Sequence, residues 1–259
     1  MITSSHNPKI QWVKQLQARS KARRESGVFV AEGVRLVEEA LQSGWQTQLV
    51  LHTPDLDPRG QAVVDGFTRR GVPIEVVTPQ VLQAASDTET PQGLLAVLEM
   101  RSLPVPPDPG LILIPDGVRD PGNLGSMLRT AAAAGASLVC LPAGTVDAYA
   151  PKVVRAAMGA HFRLPLITAA WDEIQDLLER TGVTLFLAAP GQGIPYTQAD
   201  LRPPLAILIG GEAAGAGDRA LGLPHQLVHI PMPGRMESLN AAAAAAVLLF
   251  EVVRQHSLK

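Results

Sequence analysis

Ile230-Pro-Met-Pro-Gly-Arg-Met-Glu-Ser-Leu-Asn240 leaves a short apolar segment and enters the alanine-rich tract 241–250. A strand-to-helix corner that only packed would carry few polar side chains, yet Glu237, Ser238 and Asn240 all fall in it. Two other segments repeat the arrangement. Asp120-Pro-Gly-Asn-Leu-Gly-Ser126, with Arg129 beyond it, follows the apolar run 111–115, and Ile209-Gly-Gly-Glu212 closes the run 206–209. Open α/β sheets collect ligands beyond the carboxyl ends of their strands. The three corners therefore predict one composite site.

The second half reads as strands at 111–115, 138–141, 163–166, 184–188, 206–209 and 227–230, separated by helices at 123–134, 151–158, 171–181, 218–221 and 238–255. The strands are short, continuous and aliphatic, as a parallel sheet buried on both faces requires. Strand and helix alternate, so an α/β domain with a parallel sheet is expected over 111–259. Leu103-Pro-Val-Pro-Pro-Asp-Pro-Gly110 cannot hold a helix or a central strand and reads as a linker at 104–110. Before it, strands at 28–32, 48–52, 74–77 and 94–98 alternate with helices at 8–23, 34–43, 58–70 and 79–85. Residues 1–103 thus form a smaller α/β domain. It shows no metal-ligand cluster and no nucleophile beside a base, and by elimination reads as a recognition domain.

With 259 residues, 46% hydrophobic but only 4% aromatic, the chain can build aliphatic cores for two domains. A net charge of −2 argues against a globally basic nucleic-acid binder. Residues 1–35 nevertheless carry seven Lys and Arg against two Glu. That local excess is either a solvated helix face or a surface for phosphates. The single Cys140 excludes an internal disulfide, no apolar run reaches membrane-spanning length, and the polar N-terminus is unlike a secretory leader. A soluble cytoplasmic protein is expected, without membrane or metal.

Each corner has a plain reading beside a functional one. Asn123 and Ser238 are either helix N-caps or site residues. Gly210-Gly211-Glu212 resembles a nucleotide-binding loop, but its spacing and late position do not fit a dinucleotide fingerprint. The acidic Glu212 suits a cationic ligand or an arginine to be held. Lys152 and Arg155, one helical turn apart, either meet phosphate or face solvent. The six histidines are scattered, and no serine sits in a nucleophile elbow.

Taken together, Asp116-Gly-Val-Arg-Asp-Pro-Gly-Asn-Leu-Gly-Ser-Met-Leu-Arg-Thr-Ala131, Ile209-Gly-Gly-Glu212 and Ile230-Pro-Met with Glu237-Ser-Leu-Asn240 resemble the three motifs of the SpoU (TrmH-type) RNA 2′-O-ribose methyltransferases of the SPOUT superfamily. Residues 5–100, with Arg23-Arg24-Glu25-Ser-Gly-Val-Phe-Val-Ala-Glu-Gly33, resemble that family's L30e-like substrate-binding domain. The resemblance implies a SPOUT domain with a C-terminal trefoil knot, S-adenosylmethionine as methyl donor, an RNA substrate with ribosomal RNA favoured, and a homodimer through the C-terminal domain. Carried over by position, it implies cofactor contacts at Leu187, Gly210, Ile230, Met232, Leu239 and Asn240. Catalytic roles fall on Asn123, Arg129, Glu212, Ser238 and Asn240. The expected RNA-contacting cations are Lys9, Lys14, Arg23, Arg24, Arg35 and Arg155. One departure stands out: the second motif usually reads Gly-Asn-Glu-Gly, and here it is Gly210-Gly211-Glu212-Ala213. A non-catalytic RNA-binding homologue, a transfer-RNA methyltransferase and a nicotinamide-dependent oxidoreductase are the alternatives.

Overall fold

The computed structural model describes residues 1–212, 215–234 and 236–257. Its contacts divide the chain into two units, Met1–Arg101 with Asp147–Phe162, and Ser102–Val146 with Arg163–Lys259.

The first unit begins with α1 (Pro8–Ala18), α2 (Ser20–Ser26), β1 (Val28–Glu32), α3 (Val34–Gln42), β2 (Thr47–His52), α4 (Pro58–Arg69), β3 (Ile74–Val76), α5 (Pro79–Ala85) and β4 (Leu94–Glu99). The strands form a sheet in the order β1-β4-β2-β3, with β4 antiparallel to β1 and β2, and β2 parallel to β3. Under it lies a core of Ile10, Val13, Leu16, Val30, Leu51, Leu95 and their neighbours. The helix expected to run to residue 23 breaks at Arg19, whose φ of −130° and ψ of 117° are extended. The break turns Arg23 inward. Its Nη1 donates to Leu16 O at 2.6 Å and Gln17 O at 3.2 Å, carbonyls that the end of α1 would otherwise leave unpaired.

Beyond Arg101 come β5 (Leu111–Asp116), α6 (Pro121–Ala133) and β6 (Leu138–Leu141) of the second unit. The chain then gives α7 (Pro151–Ala157) and a 3-10 turn, Ala160–Phe162, to the first. This differs from the expected single stretch 111–259, for three reasons. Helix α7 buries Val153, Val154 and Ala157 and packs on β1. Asp147 accepts from Nε and Nη2 of the buried Arg23 at 3.1 and 2.6 Å. Finally, the rings of Tyr149 and His161 pack beside Phe29. Buried His161 donates through Nε2 to Ala148 O at 2.7 Å, and burial holds its pKa down at about 4.

The second unit resumes with β7 (Leu166–Thr168), α8 (Trp171–Thr181), β8 (Thr184–Ala188), β9 (Ile194–Pro195), β10 (Leu205–Gly210), α9 (Asp218–Leu221), β11 (Gln226–His229) and α10 (Ala241–His256). The sheet order is β7-β6-β5-β10-β8-β11-β9 and every pairing is parallel. All six residues of β5 are buried, and the five before Asp116 are accordingly an unbroken apolar run. Strand β7 starts three residues later than expected, because the chain is still turning at residues 163 and 164. Strand β9, two residues long, has too little pattern to be foreseen. One face of the sheet carries Ile112, Leu185, Leu187 and Leu208 against Ile174 and Leu178 of α8. Helix α10 packs on α6 and β10.

Candidate functional site

Two helix caps decide where the polar corner residues point. In α6 the cap is Asp120, whose Oδ1 accepts from Asn123 N at 2.8 Å, with Pro121 in the first turn. Asn123 is therefore inside the first turn and its side chain is spared for other work. In α10 the cap is Asn240, whose Oδ1 accepts from Ala242 N at 2.9 Å and Ala243 N at 3.2 Å. Such a cap contributes about 1 kcal/mol. Of the two readings open for Asn123 and Ser238, helix N-cap or site residue, the capping one is thereby set aside for both.

The three corners meet through these side chains. Asn240 Nδ2 donates to Asn123 Oδ1 at 3.0 Å, and Asn123 Nδ2 donates to Glu212 Oε1. A carboxylate, an amide and a helix cap thus form one hydrogen-bonded chain across the ends of β5, β10 and β11. The second corner is held tightly from beneath. Gly211 N donates to Gly215 O at 3.1 Å, and Gly215 N to Gly211 O at 3.0 Å. The buried Asp116 accepts from Gly217 N at 2.7 Å through Oδ2, which ties this turn to the first corner. Glycine is a steric requirement here. A Cβ on Gly210 would lie 2.2 Å from the Gly215 carbonyl carbon, and one on Gly211 would lie 2.4 Å from Gly117 O.

Behind the chain of polar groups lies a cavity of about 430 Å³. Gly210, Ile230, Met232, Leu239 and Asn240, five of the six positions expected to contact cofactor, line it together with Ser238. The sixth, Leu187, does not. Alternation along β8 sends Leu187 into the core, and Ala188 and Ala189 reach the cavity instead. Ala241, Ala244 and Leu248 form a stripe of α10 along another wall. The strand period and the alanine tract were the signals for these missed positions. Glu212 is the sole ionisable side chain among the described lining residues, so the wall is mostly apolar with one negative charge at its edge.

Arg129 is not part of this assembly. It is exposed, lies about 120° around α6 from Asn123 at 100° per residue, and has no hydrogen bond or ion pair among the described residues. In the first unit, Lys9 pairs with Glu75, while Lys14, Arg24 and Arg35 are exposed. Arg155 pairs with Asp87 at 2.8 Å. Arg23 is 4% exposed and fully engaged by Asp147 and the end of α1, so its expected place among RNA-contacting cations is corrected: its donors are spent inside the protein. Ala213 of the second motif and Arg235 of the third lie outside the described residues. Among the described residues no group of three or more His, Cys, Asp or Glu is placed to hold a metal ion, and no helix is long and apolar enough to cross a membrane.

The model of the SpoU rRNA Methylase family matches residues 110–250, the stretch that carries all three corners. The chain belongs to this family. Beside the SpoU match, an MRM3-like substrate binding domain matches residues 7–96. Among SpoU relatives, the 23S rRNA (guanosine(2553)-2′-O)-methyltransferase RlmP of Bacillus subtilis (strain 168) is 34% identical over 251 residues, covering 97% of this chain and 98% of that protein. The 23S rRNA (uridine(2479)-2′-O)-methyltransferase of Streptomyces viridochromogenes is 32% identical, covering 98% and 92%. The AdoMet-bound rRNA methyltransferase from Sinorhizobium meliloti superposes with a TM-score of 0.87 at 32% identity, over 98% of this chain and 97% of that one.

Proposed function

We propose that this chain transfers the methyl group of S-adenosylmethionine to a ribose 2′-hydroxyl of ribosomal RNA. The observation that carries the reading is the Asn240–Asn123–Glu212 chain at the mouth of a glycine-walled cavity, in a chain of the SpoU family. The cavity fits the donor in size and chemistry. Its volume lies within the range of about 300–1,000 Å³ typical of small-molecule sites. Gly210 and Gly211 leave main chain free to approach a flat ring, and Glu212 supplies the negative charge that a sulfonium favours. Gly210, Ile230, Met232, Leu239 and Asn240 are the residues that would hold it, with Ala188 and Ala189 in place of Leu187.

When bound, the sulfonium supplies an electrophilic methyl group. The residues then have two tasks: to hold the ribose oxygen in line with that methyl, and to accept charge as its weakly acidic proton leaves. Asn240, held by its two cap bonds, is joined to Asn123 by one hydrogen bond, so their remaining polar edges are preorganised. Ser238, on the cavity wall and released from capping, is free to bond substrate. Glu212 orients Asn123 from the other side. An arginine remains fully protonated in proteins, so Arg129 acts as a phosphate or oxyanion clamp and not as the base.

Because Arg129 faces away from its own cavity, the reading assigns it to the cavity of a second copy, and the active form is a homodimer through the C-terminal half. Support comes from apolar side chains exposed on the C-terminal half, Met236 at 73% and Phe250 at 50%. The trefoil knot belongs to the same reading, supported by β10 lying between β5 and β8 while α10 returns against α6. Lys9, Lys14, Arg24, Arg35 and Arg155 are the cations proposed to meet RNA, and a cytoplasmic location suits a ribosomal substrate.

The test is transfer of tritium from labelled S-adenosylmethionine to unmodified ribosomal RNA, followed by alkaline hydrolysis. Label retained at one hydrolysis-resistant linkage is the expected result, and absence of transfer with intact cofactor binding refutes it. Mixing Asn123→Ala and Arg129→Ala chains, each inactive, should restore up to about a quarter of activity through hybrid dimers if Arg129 acts across the interface. No restoration in verified hybrids would place Arg129 elsewhere.

A further inference from the structure

We infer that the first unit carries a pocket for a single unpaired nucleotide of the RNA, formed by Arg35, Gln92, Arg155 and Met158 over a floor at Glu32. The inference rests on the reading of the chain as an RNA methyltransferase and names one subsite of its substrate. The pocket is assembled from three places in the sequence: the start of α3, the loop before β4, and the end of α7. Its volume of about 230 Å³ is below that of pockets for drug-sized ligands, about 300 Å³ and upward, and suits one base with its attached phosphate.

The polar groups are arranged but incompletely satisfied. Gln92 Oε1 accepts from Val34 N at 3.2 Å, which fixes the amide and leaves the Nε2 donors without a partner among the described residues. That approach needs Gly33, which has φ of 98° and whose Cβ would sit 3.0 Å from Gln92 Oε1. Arg155 is aligned by Asp87 through Nη2, while its Nη1 is buried with no partner, a donor that a bound acceptor would relieve. Arg35 is exposed at the rim. At the floor the Glu32 carboxylate, 8% exposed, accepts from Asp87 N at 3.0 Å and from Thr88 Oγ1. An anion is disfavoured beside that carboxylate and favoured at the two arginines, which orients a nucleotide with its base inward and its phosphate at the rim.

Met158 supplies the remaining requirement. It holds φ of 48°, the left-handed region, where a non-glycine side chain is strained, and it is 40% exposed. A strained, exposed, polarisable side chain on a pocket wall offers an apolar face on which a base can lie, and strain of this kind collects at binding sites. Structured RNA offers such bases in loops and bulges.

The experiment uses the full chain and an unmodified large-subunit ribosomal RNA transcript, with filter binding across a salt series. Met158→Gly relieves the backbone strain and removes the apolar face, so it should melt no lower than wild type yet bind RNA about fivefold to tenfold more weakly. Arg35→Gln should weaken binding and lower the salt slope by about one. Both should bind S-adenosylmethionine as wild type does, and cytidine monophosphate should compete with RNA better than inorganic phosphate at equal ionic strength. Wild-type affinity and salt slope in both variants would overturn the pocket while leaving the methyltransferase reading intact. Equal competition by phosphate would reduce it to an anion site and overturn it too. A wild-type chain that neither binds nor methylates the transcript would remove the RNA reading and the pocket with it.

Discussion

Gly211→Ala adds a single methyl group at the second corner, and the structure sets the sign of its effect. Gly211 is not among the glycines with positive φ, so on backbone grounds alone alanine would stabilise by about 0.4–1 kcal/mol. Its Cβ, however, would lie 2.4 Å from Gly117 O and 2.9 Å from Gly117 C. Both are main-chain atoms that cannot rotate away, and overpacking of this kind costs about 1–3 kcal/mol. The clash wins by roughly 1–2 kcal/mol. Relief requires Gly117 and Gly211 to part, which stretches the span that Asn123 bridges to Glu212 and opens the cavity wall. If the whole strain falls on the bound conformation, S-adenosylmethionine affinity drops about 5- to 30-fold, at 1.4 kcal/mol per factor of ten. Calorimetric titration with the cofactor, paired with thermal melting, measures both quantities. Gly234→Ala is the control, since nothing lies within 4 Å of its Cβ. Gly211→Asn, which restores the residue more usual in the SpoU pattern, should lose at least as much as alanine. An alanine variant that melts and binds like wild type, or an asparagine variant that binds more tightly, would refute the steric reasoning.

Asn123→Asp replaces the donor to Glu212 with a second carboxylate, and should cut methyl transfer by at least about tenfold while cofactor affinity changes less; equal losses in single-turnover rate and affinity would contradict a positioning role. Arg23→Met strips the end of α1 of its donor and leaves Asp147 unpaired, so urea denaturation should show a loss of about 2–4 kcal/mol. His161 titrates at about 4 in the fold against 6.5 when unfolded. The unfolded chain therefore binds the proton first, and stability is full above about pH 6.5 and falls by about 3 kcal/mol as pH drops towards 4. His161→Gln should flatten urea midpoints over that window, whereas Glu251, held below its ordinary 4.5 by Arg254, takes effect only at lower pH.

Much of the architecture was legible because burial on both faces leaves unbroken aliphatic strands, and the six runs of the second half each mark a strand in the structure, with β7 displaced. The convergence of the corner motifs was legible too, since polar residues at strand ends have no packing reason to cluster. The misses have physical causes. In Asp120-Pro-Gly-Asn123 two residues compete for the cap, and the deciding sign was Pro121, which favours the first helical position and so puts the cap immediately before it. Leu187 turns its side chain into the core, and its neighbour Ala188 lines the cavity, because successive side chains of a strand point to opposite faces. Nothing local to Arg23 announces a partner 124 residues away, and nothing in a Gly-Gly pair shows how closely another turn approaches.

The transfer of Asp147–Phe162 to the first unit constrains how such a protein is made and how it can be recombined. During synthesis the N-terminal sheet emerges well before the helix and aromatic cluster that pack on β1, so that unit stays unfinished until β5, α6, β6 and α7 have all been translated. A graft joined at the proline-rich segment would leave the recipient with a foreign α7 against its own β1. Exchange of RNA specificity between relatives therefore calls for three crossovers, one near residue 101 and a pair bracketing 147–162, carried together as a single heritable block.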